Sequence, residues 1–331
     1  MLSDKTILIT GGTGSFGNKF TRRVLNEFNP KKIIIYSRDE YKQYVMQQKF
    51  KDYSKKLRFF LGDVRDEGRL YRAFDGVDIV IHAAAIKQVP AAEYNPIEAV
   101  KTNINGAENI INAAIDKGVE KIIALSTDKA VNPVNLYGAT KLVSDKLFVA
   151  GNAYVGDKDT LFSVVRYGNV AGSRGSIIPF FKSLIKDGEV NVPITDCRMT
   201  RFWITLDDAV DLVLKAIDEA KGGELYVKKC PSFKITDLAK ALKSDCNFDN
   251  IGIRPGEKLH EVMITEEDSR TTVEYDDHYI IYPDLDWWTK IDNKPGGCNV
   301  EDRFRYSSDT NNEWLSQEDL KNLLDEIDIV Y

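Results

Sequence analysis

Apolar residues in the first half of the chain fall in short unbroken runs, separated by stretches with helical spacing. The runs are Thr6–Thr10, Lys32–Tyr36, Leu57–Leu61, Asp78–Ala83, Lys121–Ser126 and Leu161–Arg166. Most are apolar throughout rather than alternating, the pattern of strands covered on both faces. Helical stretches such as Gly17–Phe28 and Pro96–Lys117 lie between them. In the latter, Ile97, Val100, Ile104, Ala107, Ile110 and Ile111 recur at helical spacing. This alternation predicts an α/β fold built on a doubly wound parallel sheet.

Past about residue 170 the regularity fades. Helical patterns continue at Ser176–Lys186, Leu206–Ala220, Thr236–Lys243 and Gln317–Glu326, with a short strand at Leu225–Val227. They read as a smaller α/β lobe. The division expected is 1–170 and 171–331. With no Gly/Ser/Pro linker at the junction, the halves are expected to pack together around a cleft, with segments free to interleave. The stretch 265–313, rich in Asp, Asn, Tyr and Trp, shows no assignable pattern.

The first run ends in Thr10-Gly11-Gly12-Thr13-Gly14-Ser15-Phe16-Gly17, a G-x-x-G-x-x-G turn between a strand and a helix. Such a turn suits a dinucleotide. Gly11 permits the tight bend, Gly14 lets backbone approach a pyrophosphate, and Gly17 lets the helix pack on the sheet. The helix N-terminus favours the phosphate charge. Thr13, Ser15 and Phe16 join this cradle. After the second run come Ser37-Arg38-Asp39-Glu40 and Lys42. An Asp or Glu here commonly bonds a ribose 2′-hydroxyl. Ser37 and Arg38 suit a 2′-phosphate and favour NADP, while Asp39 bonding the ribose of NAD is the alternative. Asp63-Val64 is placed for the adenine, and Ala83-Ala84 for close approach of the cofactor.

Composition excludes other classes. Lys plus Arg is 45 and Asp plus Glu is 51, a net charge of −6, which argues against a nucleic-acid binder. No apolar run approaches the ~18 residues of a membrane span. Met1–Lys5 shows no basic-then-apolar leader pattern. The cysteines, Cys197, Cys230, Cys246 and Cys298, form no C-x-x-C, and His82, His260 and His278 are scattered. The expectation is a cytoplasmic protein with free thiols and no metal site.

Tyr137 and Lys141 form Y-x-x-x-K, which a helix places on one face. An ammonium beside a phenol lowers the phenol pKa from ~10 toward a useful base. Ser126-Thr127 ends the fifth run just before. With the glycine turn, these residues resemble the short-chain dehydrogenase/reductase superfamily, in its extended, nucleotide-sugar-modifying branch. The resemblance implies a Rossmann domain over 1–170 and a sugar-nucleotide lobe over 171–331. It implies that Tyr137 deprotonates a sugar hydroxyl while nicotinamide takes hydride, and that Lys141 binds the nicotinamide ribose.

Asp128-Lys129 narrows the chemistry. A sugar 4-epimerase needs no acid–base pair here; a 4,6-dehydratase does. Once C4 is a ketone, the C5 proton is acidified. A base removes it and an acid protonates the departing C6 hydroxyl. Common hexose 4,6-dehydratases carry Thr-Asp-Glu, whereas Lys129 stands in the place of Glu. A lysine base must be neutral, so its pKa is expected to fall from ~10.4. The segment 127–141 closely resembles the UDP-N-acetylglucosamine 4,6-dehydratases that invert C5, and the likeness spans nearly the whole chain.

That resemblance implies an NADP-dependent lyase acting on UDP-N-acetylglucosamine. The product would be a UDP-2-acetamido-2,6-dideoxy-4-keto-hexose of arabino configuration, made in the first step toward pseudaminic acid for flagellin glycosylation. Asp128 would be the C6 acid, Lys129 the C5 base and Tyr137 the C4 base. Thr127, Lys87, Asn169, Ser173 and Arg174 would contact substrate, Val170 would lie by nicotinamide, and Arg201, Arg254 and Glu257 would hold the UDP moiety. Gln88 departs from the histidine usual in the Lys87 loop. Family members form homo-oligomers, some of them hexamers. A UDP-sugar 4-epimerase and a catalytically silent NADP-binding regulator are the alternatives.

Overall fold

The computed structural model describes residues 1–172, 177–186, 191–285, 288 and 296–326. The six apolar runs form six parallel strands: β1 (Thr6–Thr10), β2 (Lys32–Ser37), β3 (Leu57–Leu61), β4 (Ile79–His82), β5 (Lys121–Thr127) and β6 (Leu161–Tyr167). Their order is β3-β2-β1-β4-β5-β6. Register is set by pairs such as Ile9 with Ile35 and Thr10 with His82. Every residue of β1 and β4 is buried, as continuous apolar runs require when helices cover both faces.

The chain leaves β1 for β2 on one side and later enters β4 on the other. The order therefore reverses at β1 and β4, and a crevice opens above the carboxyl ends of these strands. A buried bond between Thr10 Oγ1 and His82 Nδ1, 2.8 Å long, joins the two ends. Burial drives the His82 pKa down to about 3, so its ring is neutral and structural.

The second half returns to the same sheet. Leu225–Lys228 pairs parallel with β6, and His278–Ile281, Thr272–Glu274 and Cys298–Asn299 extend the sheet antiparallel. Three of these strands, Thr272–Glu274, His278–Ile281 and Cys298–Asn299, lie within the unassigned stretch 265–313. At two to four residues each, they are too short to show a period. A second core, including Phe181, Ile194, Met199, Trp203, Phe233 and Leu320, packs beside the sheet. No helix among the described residues is long and apolar enough to cross a membrane.

The helix expected over Pro96–Lys117 forms with one difference. Pro96–Val100 and Gly106–Lys117 are α-helical, but Lys101–Asn105 between them is a π turn. The wide turn aims Asn103 at the loop after β4. Asn103 accepts from the Ile86 N–H at 2.8 Å, donates to the Ile86 carbonyl at 3.0 Å and donates to Thr140 at 3.0 Å. Such bulges commonly serve functional sites. Here it ties the Lys87 loop to the helix Leu136–Gly151, which carries Tyr137 and Lys141.

Candidate active site

A cavity of about 680 Å³ occupies the crevice. One end is the glycine turn. Gly11 has φ +64°, and a Cβ there would come within 2.9 Å of Ala84 Cα. A Cβ on Gly17 would meet the Gly12 carbonyl oxygen at 2.2 Å. The helix Ser15–Glu27 starts with no side-chain cap and no acidic residue in its first turn. Its free N–H groups and positive dipole end fit a phosphate. Thr13, Gly14, Ser15 and Phe16 line this end with them, and Val64, Ala83 and Ala84 line the floor.

At the end of β2, Ser37, Arg38, Asp39 and Lys42 line the cavity, and Glu40 does not. Asp39 caps the helix Glu40–Lys49 by accepting from the Lys42 N–H at 2.9 Å, and it pairs with the Lys42 ammonium at 3.0 Å. Asp63 is bonded to Arg65 at 2.7 Å and lies 3.5 Å from Arg38. Arg38 itself is half exposed, with its guanidinium at the rim. Buried Gln43 donates to the Ser37 carbonyl, to Ser37 Oγ and to the Phe60 carbonyl, pinning β2 to β3. Nothing in its sequence context marks that role.

The chemistry end is built by β5 and the segment after it. The strand stops at Thr127, the single turn Asp128–Ala130 follows, and the helix Leu136–Gly151 returns beneath it. Asn135 caps that helix through Gly138 N–H and reaches the Gly256 carbonyl. Gly138 presses against the turn: a Cβ there would lie 2.0 Å from the Lys129 carbonyl oxygen. That contact sets Tyr137 and Lys141 against Thr127 and Lys129, and all four line the cavity. Asp128 lies fully buried behind them.

Lys129 is the hub. Its Nζ lies 3.2 Å from both Asp128 oxygens, donates to Asn169 Oδ1 at 2.9 Å and lies 3.7 Å from Glu261. Thr127 Oγ1 donates to Asp128 at 2.7 Å. Burial works against the Lys129 charge, but its acidic neighbours, the adjacent Asp128 carboxylate foremost, outweigh it. Lys129 is therefore held above the ordinary lysine range, not below it as a resting neutral base requires. Burial opposes the Asp128 charge too, yet Lys129 and Thr127 hold its carboxyl below the usual range. The pair rests charged.

The Tyr137 phenol also departs from expectation. Burial pushes it up to about 12, and the largest charge opposing that rise is Lys129 rather than Lys141. Lys141 is itself lowered by burial, partly offset by Asp145. Asp145 accepts from Ser126 Oγ at 2.5 Å and pairs with Arg166 at 3.6 Å.

Lys87, Asn169 and Val170 line the cavity, and burial lowers the Lys87 pKa with Lys129 adding to the effect. Arg201 reaches the cavity wall with its donors already engaged. It donates to the carbonyls of Thr200, Leu259 and Lys258 and pairs with Glu261 at 3.4 Å. Such a guanidinium braces the wall rather than offering a free fork to a diphosphate. Arg254 is exposed and lies outside the cavity lining, as does Glu257, whose carboxylate faces Arg201 at 3.7 Å. Ser173 and Arg174 lie outside the described residues.

The residue that sequence reasoning missed is Glu261. It is 4% exposed and sits among Asp128, Lys129 and Arg201. It stands three residues past Lys258, but no spacing relates it to Asp128, because the strand pairing of Val262–Ile264 with Tyr306–Ser307 delivers it. Trp203 and Thr102 also line the cavity.

A family model described as "Polysaccharide biosynthesis protein" matches residues 7–283. The chain is 54% identical over 330 residues to a UDP-N-acetylglucosamine 4,6-dehydratase (inverting) of Campylobacter jejuni, covering 98% of both chains. It is 44% identical over 290 residues to a UDP-glucose 4-epimerase of Rickettsia canadensis, covering 85% of this chain and 84% of the epimerase. The crystal structure of Pen from Bacillus thuringiensis superposes with a TM-score of 0.90 at 37% identity, covering 98% of each chain.

Proposed function

For a chain that belongs to the polysaccharide biosynthesis protein family, with inverting 4,6-dehydratases among its relatives, we propose the same reaction: dehydration of UDP-N-acetylglucosamine across C5–C6 with inversion at C5. One observation carries the reading: Lys129 stands beside Tyr137 on the wall of the crevice at the end of β5, with buried Asp128 closed on it at 3.2 Å from behind. Oxidation and re-reduction at C4 alone would need no such pair.

The residues of the cavity fit a nicotinamide dinucleotide, with the pyrophosphate on the uncapped helix at Ser15 and the adenine over Val64. NADP is favoured over NAD, because Arg38 and Lys42 are the cations at the rim and Asp39 is spent on capping. Such a cofactor supplies the acceptor for hydride from C4 and the donor of hydride to C6. Tyr137 takes the C4 hydroxyl proton as its phenolate, the form that the Lys129 ammonium favours and that the positive charge of an oxidised nicotinamide would favour further. Lys129 becomes a base by passing its proton to Asp128 across their hydrogen bond, which arms both groups in one move. Lys129 then takes the C5 proton, and the Asp128 proton reaches the leaving C6 oxygen through the Thr127 hydroxyl, which touches Asp128 and lines the cavity. Asn169 and Lys87 orient the sugar.

The same reading takes the product as the arabino 4-keto sugar, the first step toward pseudaminic acid. It takes the working enzyme as a cytoplasmic homo-oligomer. The test is incubation with UDP-N-acetylglucosamine in D₂O, followed by NMR and mass spectrometry. Loss of water with deuterium at an inverted C5 is the expected result. Unchanged mass with a C4 epimer would overturn it in favour of the activity named for the Rickettsia relative. No turnover of any UDP-sugar by cofactor-loaded protein would leave the regulator.

A further inference from the structure

Glu261 is a buried carboxyl that the reaction above does not use. Its surroundings are specific. Its backbone N–H donates to Ser308 Oγ at 2.9 Å, and its carbonyl accepts from Ser308 N–H at 2.8 Å and from Ser307 Oγ at 3.1 Å. These bonds fix where the side chain starts. One oxygen, Oε1, lies 3.4 Å from Arg201 Nε and 3.7 Å from Lys129 Nζ. The other, Oε2, is buried with no hydrogen-bond donor among the described residues. The Asp128 and Glu261 carboxyls converge on the same ammonium, with Lys129 Nζ 3.2 Å from both Asp128 oxygens and 3.7 Å from Glu261 Oε1. Two buried carboxylates converging on one ammonium repel each other, and a proton held between them removes the repulsion and gives the orphan oxygen a donor.

We propose that Glu261 is a positioning residue for the proton of the Asp128–Lys129 pair: it holds a shared proton with Asp128 and, by being neutral, lets Lys129 give up its own proton and act as base. The proposal rests on the dehydratase reading above. The protons balance. The resting cluster holds two, one on Lys129 and one between Glu261 and Asp128. Transfer from Lys129 to Asp128 gives a neutral amine beside two neutral carboxyls. Elimination then moves the C5 proton to Lys129 and the Asp128 proton to the C6 oxygen, which leaves as water. The cluster returns to its resting form, again with two protons. If Glu261 were ionised instead, a carboxylate would remain beside the amine and keep Lys129 protonated.

The charged groups facing Glu261 are Asp128 and Lys129 from the end of β5, Arg201 from the strand Thr200–Phe202, and Lys258 from its own loop. Burial and Asp128 raise the Glu261 pKa; Lys129 and Arg201 oppose the rise. The net direction is upward, and it agrees with the geometry.

The test is Glu261→Gln in the full chain, read as turnover against pH. Wild-type turnover should fall on the alkaline side as the shared proton is lost. The glutamine, neutral at every pH, should stay within about fivefold of wild type near neutrality and lose that alkaline fall. An unchanged pH profile, or a folded variant inactive at all pH values, would overturn the proposal. Should the variant fail to fold, infrared spectroscopy of the wild-type protein decides. A protonated-carboxyl band at neutral pH, shifted by ¹³C-glutamate and lost on alkalinisation, is expected; its absence refutes the shared proton. This band needs no substrate, so it tests the carboxyl pair even if UDP-N-acetylglucosamine proves not to be the substrate.

Discussion

Gly138→Ala isolates the contact that assembles the site. The Tyr137 helix touches the Lys129 turn at Gly138, where an added Cβ would lie 2.0 Å from the Lys129 carbonyl oxygen and 2.9 Å from the Lys129 carbonyl carbon. The backbone oxygen has no rotamer with which to retreat. Reaching even 3.0 Å requires the helix and the turn to part by 3.0 − 2.0 = 1.0 Å. Overpacking of this kind costs about 1–3 kcal/mol. Replacing a helical glycine by alanine returns up to about 1 kcal/mol. The net loss of stability is therefore about 0–3 kcal/mol, a fall in melting temperature of less than about 12 °C. Activity should suffer far more. Tyr137 rides on the helix and Lys129 on the turn, and a misplacement of 1 Å costs on the order of 100-fold in rate. The assay pairs thermal melting with turnover of UDP-N-acetylglucosamine. Dinucleotide binding at the glycine turn is the control for folding. A variant that melts within a few degrees of wild type and keeps turnover within about threefold would refute the claim that this contact sets the catalytic geometry.

Other substitutions separate the remaining roles. Lys129→Met should lower water loss by about 10²–10⁴-fold and slow C4 oxidation, visible as reduced-cofactor absorbance, by much less, since it also removes the charge that most opposes the rise of the Tyr137 phenol; equal loss of both steps would sink the assignment. The same variant leaves Asp128 buried without its cation, at about 3–5 kcal/mol. In the wild type the lowered Asp128 pKa contributes stability above the ordinary value of about 3.9, lost as pH falls through the folded value. In the variant burial raises that pKa instead, so melting temperature should climb on acidification from pH 7 toward 5, the reverse slope. Arg38→Ala should weaken NADP binding about tenfold or more and spare NAD; equal effects on both would remove the case for a 2′-phosphate contact. Arg166→Met breaks the buried pair with Asp145 and releases the Met263 carbonyl, and should cost about 3–5 kcal/mol by chemical denaturation.

The elements legible in the sequence are those whose signals are local. Six apolar runs became six strands with ends moved by no more than a residue, because a strand covered on both faces must be apolar along its length. The glycine turn and Y-x-x-x-K were legible because each spans a few residues whose spacing fixes their mutual geometry. Asp128-Lys129 was visible for the same reason.

Tertiary structure decided what depends on distant neighbours. It placed Glu261 against Asp128 and Lys129 through a strand pair too short to carry a pattern. It committed the Arg201 donors to backbone carbonyls and left Arg254 outside the cavity lining. It also decided protonation. From sequence, Lys129 was expected to rest neutral and Lys141 to lower the Tyr137 phenol. In the fold, the adjacent Asp128 carboxylate holds the Lys129 charge, and burial raises Tyr137. Periodicity and spacing report which residues share a strand or helix face. The field at a buried group is summed over everything packed around it, and only the folded chain brings those groups together.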